Sequence, residues 1–182
     1  LSLSYILNFG KNSQHSVSYG IQFGMVNRSF SYSNLNFDNQ WNGDTFDPNI
    51  SMDESFSNTK LNFFDLGTGI AYRWDKSERT NVTVGFSVMH VNMPRQTFYT
   101  NNTVKLDPRF TVHARAQVKI SSRVDIVPEL MFQRQDVKQE FLFGAHAKYY
   151  MPVKIPHTVA LNFGAYGRFV DAGWLMAGMD FD

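Results

Sequence analysis

The sequence predicts an all-β protein, namely an antiparallel up-and-down transmembrane β-barrel. Apolar and polar residues alternate along most of the chain, which is the period of a β-strand. The alternating runs are about 10–14 residues long, whereas globular strands cluster near about 5–6 residues and a tilted strand needs about 9–11 to cross a bilayer. Short turns and long loops separate these runs, as in outer-membrane barrels.

The composition of the 182-residue chain agrees with alternating strands. Hydrophobic residues make up 43% of the chain, yet the mean hydropathy is −0.30, so polar residues dilute the apolar ones. There is no run of about 18 apolar residues that would indicate a transmembrane helix. The net charge of +1 implies no nucleic-acid partner, and the absence of cysteine excludes a disulfide framework and a thiolate metal site. The length predicts one domain over residues 1–182.

The first two predicted strands are separated by a turn at residues 10–13. The second of them has the clearest alternation in the chain, because Ser, Gly and Gln fall on one face and large apolar residues on the other. Its apolar face carries Val17, Tyr19, Ile21, Phe23 and Met25.

The same alternation continues to the end of the chain and gives about nine strands, with no stretch that predicts a helix. The chain begins and stops inside strand-like runs. We therefore expect the chain to be part of a longer barrel. The expected missing portion is N-terminal, and a C-terminal portion could be missing as well. The predicted strands are residues 2–9, 16–25, 63–74, 82–89, 110–120, 124–133, 140–149, 158–169 and 174–181.

The second face of these strands carries small residues together with charges of both signs. A barrel lumen can hold such charges as pairs between neighbouring strands. Tyrosine and tryptophan near strand ends on the apolar face suit aromatic girdles at two membrane interfaces. The competing interpretation is a soluble β-sandwich or lipocalin-like barrel, with shorter strands and more Lys and Glu on its wet face. The charged residues are Asp65, Arg73, Arg115, Lys119, Asp125, Glu129, Lys148 and Arg168, and the girdle residues are Tyr19, Tyr72, Trp74, Tyr149 and Trp174.

The candidate functional segments are two loops, at residues 29–51 and 92–107. The first is rich in Asn, Asp, Ser and Gly with aromatics spaced through it, and loops of this length are commonly functional or disordered. Its Asp47-Pro48 pair is a turn signature, which either contacts a partner or only folds the loop. The alternative is a surface loop without a partner. The predicted partner-binding residues are Tyr32, Phe37, Trp41, Phe46, Asp47, Pro48, Asn49, Arg95, Phe98 and Tyr99.

No catalytic, cofactor-binding or metal-binding motif is present in the sequence. The five histidines lack metal-site spacings, and no nucleophile elbow, P-loop or dinucleotide fingerprint occurs. We interpret His113 and His146 as hydrogen-bonding groups on polar strand faces. Asp65, Asp125 and Glu129 could form an acid/base set, as in outer-membrane proteases, but nothing in the sequence brings them together. Asp53 and Glu54 could help to bind a divalent cation, but two acids in a polar loop are usually only solvated.

Residues 20–51, GIQFGMVNRSFSYSNLNFDNQWNGDTFDPNIS, combine a G-x-Q-x-G strand, an L-x-F and a Q-[FWY]-x-G…F-D-P-N loop. This run resembles the signature region of the PorP/SprF family, outer-membrane proteins of the Bacteroidota associated with type IX secretion and gliding motility. Later segments such as FFDLGTGIAYRW, VPELMFQRQ and EFLFGAHAKYY fit as well, so the resemblance covers most of the chain in order. Family members are longer than this chain.

The resemblance implies a FadL-like barrel in the cell outer membrane with a non-enzymatic role. Such a protein supports secretion or cell-surface anchoring of a type IX cargo protein, such as a large adhesin. The implied partners are the adhesin's C-terminal sorting domain, periplasmic components of the secretion machine and outer-membrane lipid, with no cofactor. The alternative is a FadL-like transporter of small hydrophobic compounds, for which Met89, Met131 and Met179 would line an inward pocket.

Overall fold

The computed structural model contains nine β-strands in one antiparallel sheet, in the order of the sequence. It describes residues 1–31, 37–50, 59–98, 104–152 and 159–181. Within these ranges, two single-turn 3-10 helices, Lys11–Ser13 and Asp38–Gln40, lie in the connections. The strands are β1 Ser2–Phe9, β2 His15–Ser29, β3 Lys60–Ser77, β4 Thr80–Met89, β5 Arg109–Lys119, β6 Val124–Gln135, β7 Lys138–Tyr150, β8 Val159–Arg168 and β9 Ala172–Phe181.

The all-β, up-and-down prediction is confirmed, and each predicted run forms a strand. Every strand pairs with its sequence neighbour, so β1 and β9 are the edges of the described sheet. The sheet is therefore open, which agrees with part of a barrel rather than a closed one. No helix in the described ranges is long and apolar enough to cross a membrane.

No part of the chain that the structure describes covers the apolar face of the sheet. Its large side chains remain exposed along every strand, among them Tyr19, Phe64 and Phe143. Buried hydrophobic residues in the described chain are few and small, such as Val127 and Ala160. A soluble β-sandwich would cover this face with a second sheet. The described residues instead form a single layer, as a lipid-facing sheet does.

The aromatic residues predicted for the girdles lie on the apolar face only in part, and their place at a membrane interface stays a prediction. Tyr72, Trp74 and Tyr149 lie on the apolar face near the same end of the sheet. The prediction for Trp174 is wrong, because β9 pairs with β8 in a register that places Trp174 opposite Tyr166 on the polar face. The same register places Met179 opposite Leu161 on the apolar face, so Met179 is not inward-facing.

The connections define two ends of the sheet. The turn end carries the β1–β2, β3–β4, β5–β6 and β7–β8 connections. The loop end carries the β2–β3 and β4–β5 connections, in which the two predicted loops fall, as well as the short turns at residues 136–137 and 169–171. The two long loops thus emerge at the same end, as the barrel pattern predicts, although short turns also occur there.

Candidate loop surface

Residues 37–50 of the first loop form a folded module built around Gln40. The Gln40 side chain is 5% exposed, accepts a hydrogen bond from the Phe37 N–H at 3.1 Å and donates one to the Ile50 carbonyl at 3.2 Å. The Gln40 carbonyl in turn accepts the Asp47 N–H at 2.9 Å. One amide side chain therefore joins the beginning of the module to its end. This role was not predicted from the sequence, in which Gln40 is only a polar residue between the aromatic residues Phe37 and Trp41.

The aromatic side chains of this module line one pocket. Trp41 and Phe46 face each other through an antiparallel backbone bridge. Together with Phe37 and Asp38 they line a pocket of about 410 Å³. Trp41 is 57% exposed and Phe46 is 39% exposed, so both rings present apolar surface to the outside. Three of the aromatic positions predicted from sequence are thus brought together.

The Asp47-Pro48-Asn49 segment forms a turn. The Asp47 carboxylate accepts hydrogen bonds from the backbone N–H of Asn49 at 2.9 Å and from its side-chain amide at 3.0 Å. The Ile50 N–H bonds to the Asp47 carbonyl at 3.3 Å. The Asp side chain thus closes the turn around a proline-fixed corner, as the sequence predicts. These contacts show that Asp47-Pro48-Asn49 helps to fold the loop. Contact of this segment with a partner stays a prediction.

The second loop contacts Arg28 at the end of β2 and Phe30 at the start of the first loop. The Arg28 guanidinium donates to the Gln96 side-chain carbonyl at 3.0 Å, and the rings of Phe30 and Phe98 meet edge to face with centroids 4.8 Å apart. Arg95 is exposed, and its backbone pairs with that of Lys105. Phe98 therefore joins the two loops rather than projecting from them. The predicted residues Tyr32 and Tyr99, as well as Asp53 and Glu54, lie outside the described residues.

The base of the second loop is fixed to β3 by two side chains. Asn92 accepts the Leu66 N–H at 3.0 Å and donates to the Phe64 carbonyl at 2.7 Å, which replaces strand pairing beyond the end of β4. His90, with a left-handed φ of 59°, bonds to the Asp65 carboxylate at 2.8 Å. The entry of the loop is thus held in one direction relative to the sheet.

The polar face carries ion pairs between strands, as the sequence predicts. Arg115 and Glu129 are direct neighbours on β5 and β6, with Nε and Oε1 2.8 Å apart. Lys148 reaches from β7 to Asp180 on β9 at 2.6 Å. Further pairs join Arg168 to Glu140 at 3.0 Å and to Asp171 at 2.7 Å, and Arg73 to Asp75 at 2.7 Å.

An aromatic cluster continues this network at the middle of the sheet. The Tyr166 hydroxyl donates to Glu129 at 3.3 Å and bonds to the His146 Nδ1 at 2.7 Å. The Tyr166 ring stacks on Trp174 with centroids 5.8 Å apart. Beside this cluster lies a cavity of about 430 Å³, whose walls include Met131 and Leu142. His146 is a hydrogen-bonding group, as predicted.

The model of one protein family, described as type IX secretion system membrane protein PorP/SprF, matches residues 1–182 of the chain. The chain belongs to the PorP/SprF family. This makes it a membrane component of the type IX secretion system, in a family of secretion components rather than enzymes. Searches of curated proteins and of solved structures gave no match.

The PorP/SprF chain carries a second polar cluster at the turn end, which sequence reasoning missed. Asp125 is fully buried and accepts hydrogen bonds from Gln117 at 2.6 Å and from the Tyr150 hydroxyl at 2.9 Å. The guanidinium of Arg79, on the β3–β4 turn, bonds to the same carboxylate and lies 4.1 Å from the centre of the Tyr150 ring. The hydrogen bond to Asp125 raises the pKa of Arg79, so this arginine keeps its charge.

The three acids considered as an acid/base set in this PorP/SprF protein each bond to a different side chain. Asp65 bonds to His90 at the loop end, Glu129 to Arg115 at the middle, and Asp125 to Arg79 at the turn end. The three acids are therefore not brought together. His113, the other predicted hydrogen-bonding histidine, lies over Gly85 and has no hydrogen bond to another described residue. Within the described residues, no group of three or more His, Asp or Glu could hold a metal ion.

Proposed function

We propose that this PorP/SprF protein is an outer-membrane barrel that supports secretion or surface anchoring of a type IX cargo protein through its loop end. The observation that carries the proposal is the contact between the two long loops. Because Arg28 at the end of β2 bonds to Gln96 and Phe30 packs on Phe98, the second loop is joined to the start of the first, and the two loops can present one continuous surface. A continuous surface can take a protein partner of considerable size.

The two faces of the sheet support a place in the membrane. The exposed apolar face suits lipid, and the polar face, with its ion pairs, suits a barrel interior. Trp74, Tyr72 and Tyr149 lie near the turn end, at a depth that suits the boundary between lipid and water. Short turns usually face the periplasm and long loops the outside, so the loop surface would face the outside of the cell.

The aromatic residues of the loop module are the proposed contact. Exposed aromatic side chains supply a large apolar area at a low cost in conformational entropy, and interface hot spots are enriched in them. Trp41 and Phe46 project from a module that is already folded by Gln40 and Asp47. The cargo would therefore meet a preformed surface, and periplasmic machine components would meet the opposite end.

The first test is capture of the cargo. The full-length protein is purified from outer membranes in mild detergent, and the proteins that remain bound are identified by mass spectrometry. We expect a large secreted protein in stoichiometric amount, and we expect the Trp41→Ala/Phe46→Ala variant to lose it. Val137→Ala/Val170→Ala is the matched control, because these residues are exposed in short turns at the same end. Equal retention by both variants would exclude the aromatic module as the contact.

The second test is the direction in which the loop end faces. The chain has no cysteine, so a single introduced thiol reports its own position. We expect Thr45→Cys to react with a membrane-impermeant maleimide on intact cells. We expect Glu78→Cys, in the β3–β4 turn at the opposite end, to react only after the outer membrane is permeabilised. The reverse pattern would place the loop surface in the periplasm and exclude surface anchoring through it.

A FadL-like transporter of small hydrophobic compounds is the second candidate. The cavity beside the Tyr166–Trp174 stack favours it, because Met131 and Leu142 give that cavity apolar walls. Met89 also faces the polar side, opposite Gly67, whereas Met179 does not. A purified protein that carries bound lipid and no secreted partner would favour the transporter over cargo capture.

A further inference from the structure

We infer that the aromatic pocket of the loop module receives a lysine or arginine side chain, so that the captured protein presents a basic segment to this loop. The inference rests on the proposed function and names the chemistry of its partner. Three properties of residues 37–50 carry it: an exposed aromatic wall, an excess of negative charge and a rigid frame.

The aromatic wall is suited to a cation. A Lys or Arg head group is attracted to the face of an aromatic ring within about 6 Å of its centre, and tryptophan is the most effective ring. Trp41 is exposed beside Phe46, and the pocket of about 410 Å³ between them lies near the lower end of the range for ligand sites. A pocket of this size suits one or two side chains rather than a folded domain. The aliphatic stem of lysine or arginine would also pack on the rings.

The charge around this wall has one sign. Residues 37–50 contain Asp38, Asp44 and Asp47 and no Lys or Arg, whereas the whole chain has a net charge of +1. Asp38 lines the pocket itself. Neither Asp38 nor Asp44 forms an ion pair with any residue that the structure describes, so both carboxylates can attract a cation. Like-signed charges around a pocket select a partner of opposite sign and speed up its encounter.

Three cations at the same end, in β2 and in the second loop, lie outside the pocket. Arg28 is held by Gln96 and lies 5.9 Å from the centre of the Phe63 ring. Arg95 and Lys105 pair through their backbones in the second loop, and neither lines the aromatic pocket. The acidic charge of the module is therefore not neutralised within the pocket.

The frame of the pocket is preorganised. Gln40 joins Phe37 to Ile50, and Asp47 closes the turn that follows Phe46. A partner side chain would bind without first ordering these residues, which lowers the entropic cost of binding. This arrangement suits the insertion of an extended basic segment more than the docking of a flat apolar surface.

The test uses the full-length protein in lipid nanodiscs and a fluorescent peptide of alternating glycine and lysine. Two peptides of equal length, with acetyl-lysine or with glutamate in place of lysine, serve as ligand controls. We expect only the lysine peptide to bind, with an affinity that falls as salt rises. We expect Trp41→Leu to weaken binding about threefold, because leucine keeps apolar area but loses the ring. Asp38→Asn/Asp44→Asn should weaken it about tenfold.

The matched control removes the same charge elsewhere at the loop end. Asp107→Asn/Asp136→Asn alters two exposed acids outside the pocket and should leave peptide binding unchanged. Binding of the acetylated peptide equal to that of the lysine peptide, or equal losses in the two double variants, would overturn the inference.

The cargo pull-down separates failure of this inference from failure of the proposed function. Wild-type protein that captures its cargo, together with unchanged capture by Trp41→Leu and Asp38→Asn/Asp44→Asn, would overturn the basic-segment inference alone. Wild-type protein that captures no secreted protein would overturn the proposed function itself.

Discussion

The Arg79 guanidinium bonds to the buried Asp125 carboxylate although 46 residues separate them in the chain. Its Nε lies 3.1 Å from both carboxylate oxygens, and its Nη2 lies 2.5 Å from Oδ1. The same guanidinium donates to the carbonyls of Ser122 at 2.7 Å and Ser121 at 3.2 Å. One side chain on the β3–β4 turn thus satisfies a buried charge and fastens the β5–β6 turn.

Replacement of Arg79 should therefore destabilise the barrel. Arg79→Ala leaves the Asp125 charge buried without a cation, and we expect a loss of about 3 kcal/mol in the free energy of unfolding. The stability of Arg79→Lys should lie between those of the wild type and Arg79→Ala. Lysine keeps the positive charge, but its ammonium group cannot make the paired hydrogen bonds of a planar guanidinium. The measurement is urea unfolding in lipid vesicles followed by tryptophan fluorescence. Arg73→Ala is the control, because the side chains of the Arg73–Asp75 pair are 47% and 35% exposed, and the pair should contribute less than about 1 kcal/mol. Equal losses in Arg73→Ala and Arg79→Ala would contradict this reading.

Glycines on the polar face should differ in their tolerance of alanine. A Cβ at Gly164 would lie 2.6 Å from the His146 Cβ and 2.7 Å from the Ala145 carbonyl oxygen, and this backbone cannot move aside. We expect Gly164→Ala to cost about 2 kcal/mol. Gly85→Ala should cost less, because its three nearest atoms all belong to the His113 ring, which can rotate.

Gly24→Ala is the control of this series, because the nearest atom, the Asp65 Cβ, is 3.5 Å away, an ordinary contact. The unfolding midpoint should be highest for Gly24→Ala, intermediate for Gly85→Ala and lowest for Gly164→Ala. A midpoint for Gly164→Ala as high as that of Gly24→Ala would show that the polar face is less tightly paired than the structure indicates.

Gln40 should control the order of the first loop without affecting the barrel. Gln40→Ala removes the bonds to Phe37 and Ile50, so residues 37–50 should be cleaved faster by added protease while the unfolding midpoint of the barrel stays constant. Thr45→Ala, which removes only a marginal 3.5 Å contact with Asn42, is the control and should be cleaved at the wild-type rate. Equal cleavage rates for wild type and Gln40→Ala would show that the module is held by other contacts.

The contact between the two loops can be tested by cross-linking. Because the chain has no cysteine, Phe30→Cys/Phe98→Cys introduces a single thiol pair at positions whose rings are 4.8 Å apart. We expect a short bismaleimide to join the two thiols. The cross-linked protein should then migrate differently from the unlinked protein in a denaturing gel. Ser13→Cys/Phe98→Cys places the thiols at opposite ends of the sheet and should remain unlinked. Similar yields for the two pairs would mean that the loops do not meet.

The strands were largely predictable, but β9 was not assigned to the correct faces. In β2 and β3 large apolar residues occur at every second position, so the two faces follow from the sequence alone. Residues 174–177 are Trp-Leu-Met-Ala. Because odd and even positions are both apolar, the sequence does not indicate which face of β9 each residue occupies. Only the pairing of β9 with β8 places Trp174 against Tyr166 and turns Met179 to the apolar face.

The candidate loop surface was predictable only at the level of local turn chemistry. The Asp47-Pro48 signature gave the turn, because an aspartate side chain bonds to the backbone two residues further on. The role of Gln40 could not be predicted, since its partner Ile50 lies ten positions away across the module. The aromatic positions were predicted as a set, and the structure brings Phe37, Trp41 and Phe46 to one pocket.

By itself the sequence determined the strands, most of their faces and the Asp47 turn, because each depends on side chains one or two positions apart. The tertiary structure alone decided which distant groups meet. Arg28 reaches Gln96 across 68 residues and Arg79 reaches Asp125 across 46. Such pairs depend on the register and order of several strands at once, and a local pattern carries no information about either.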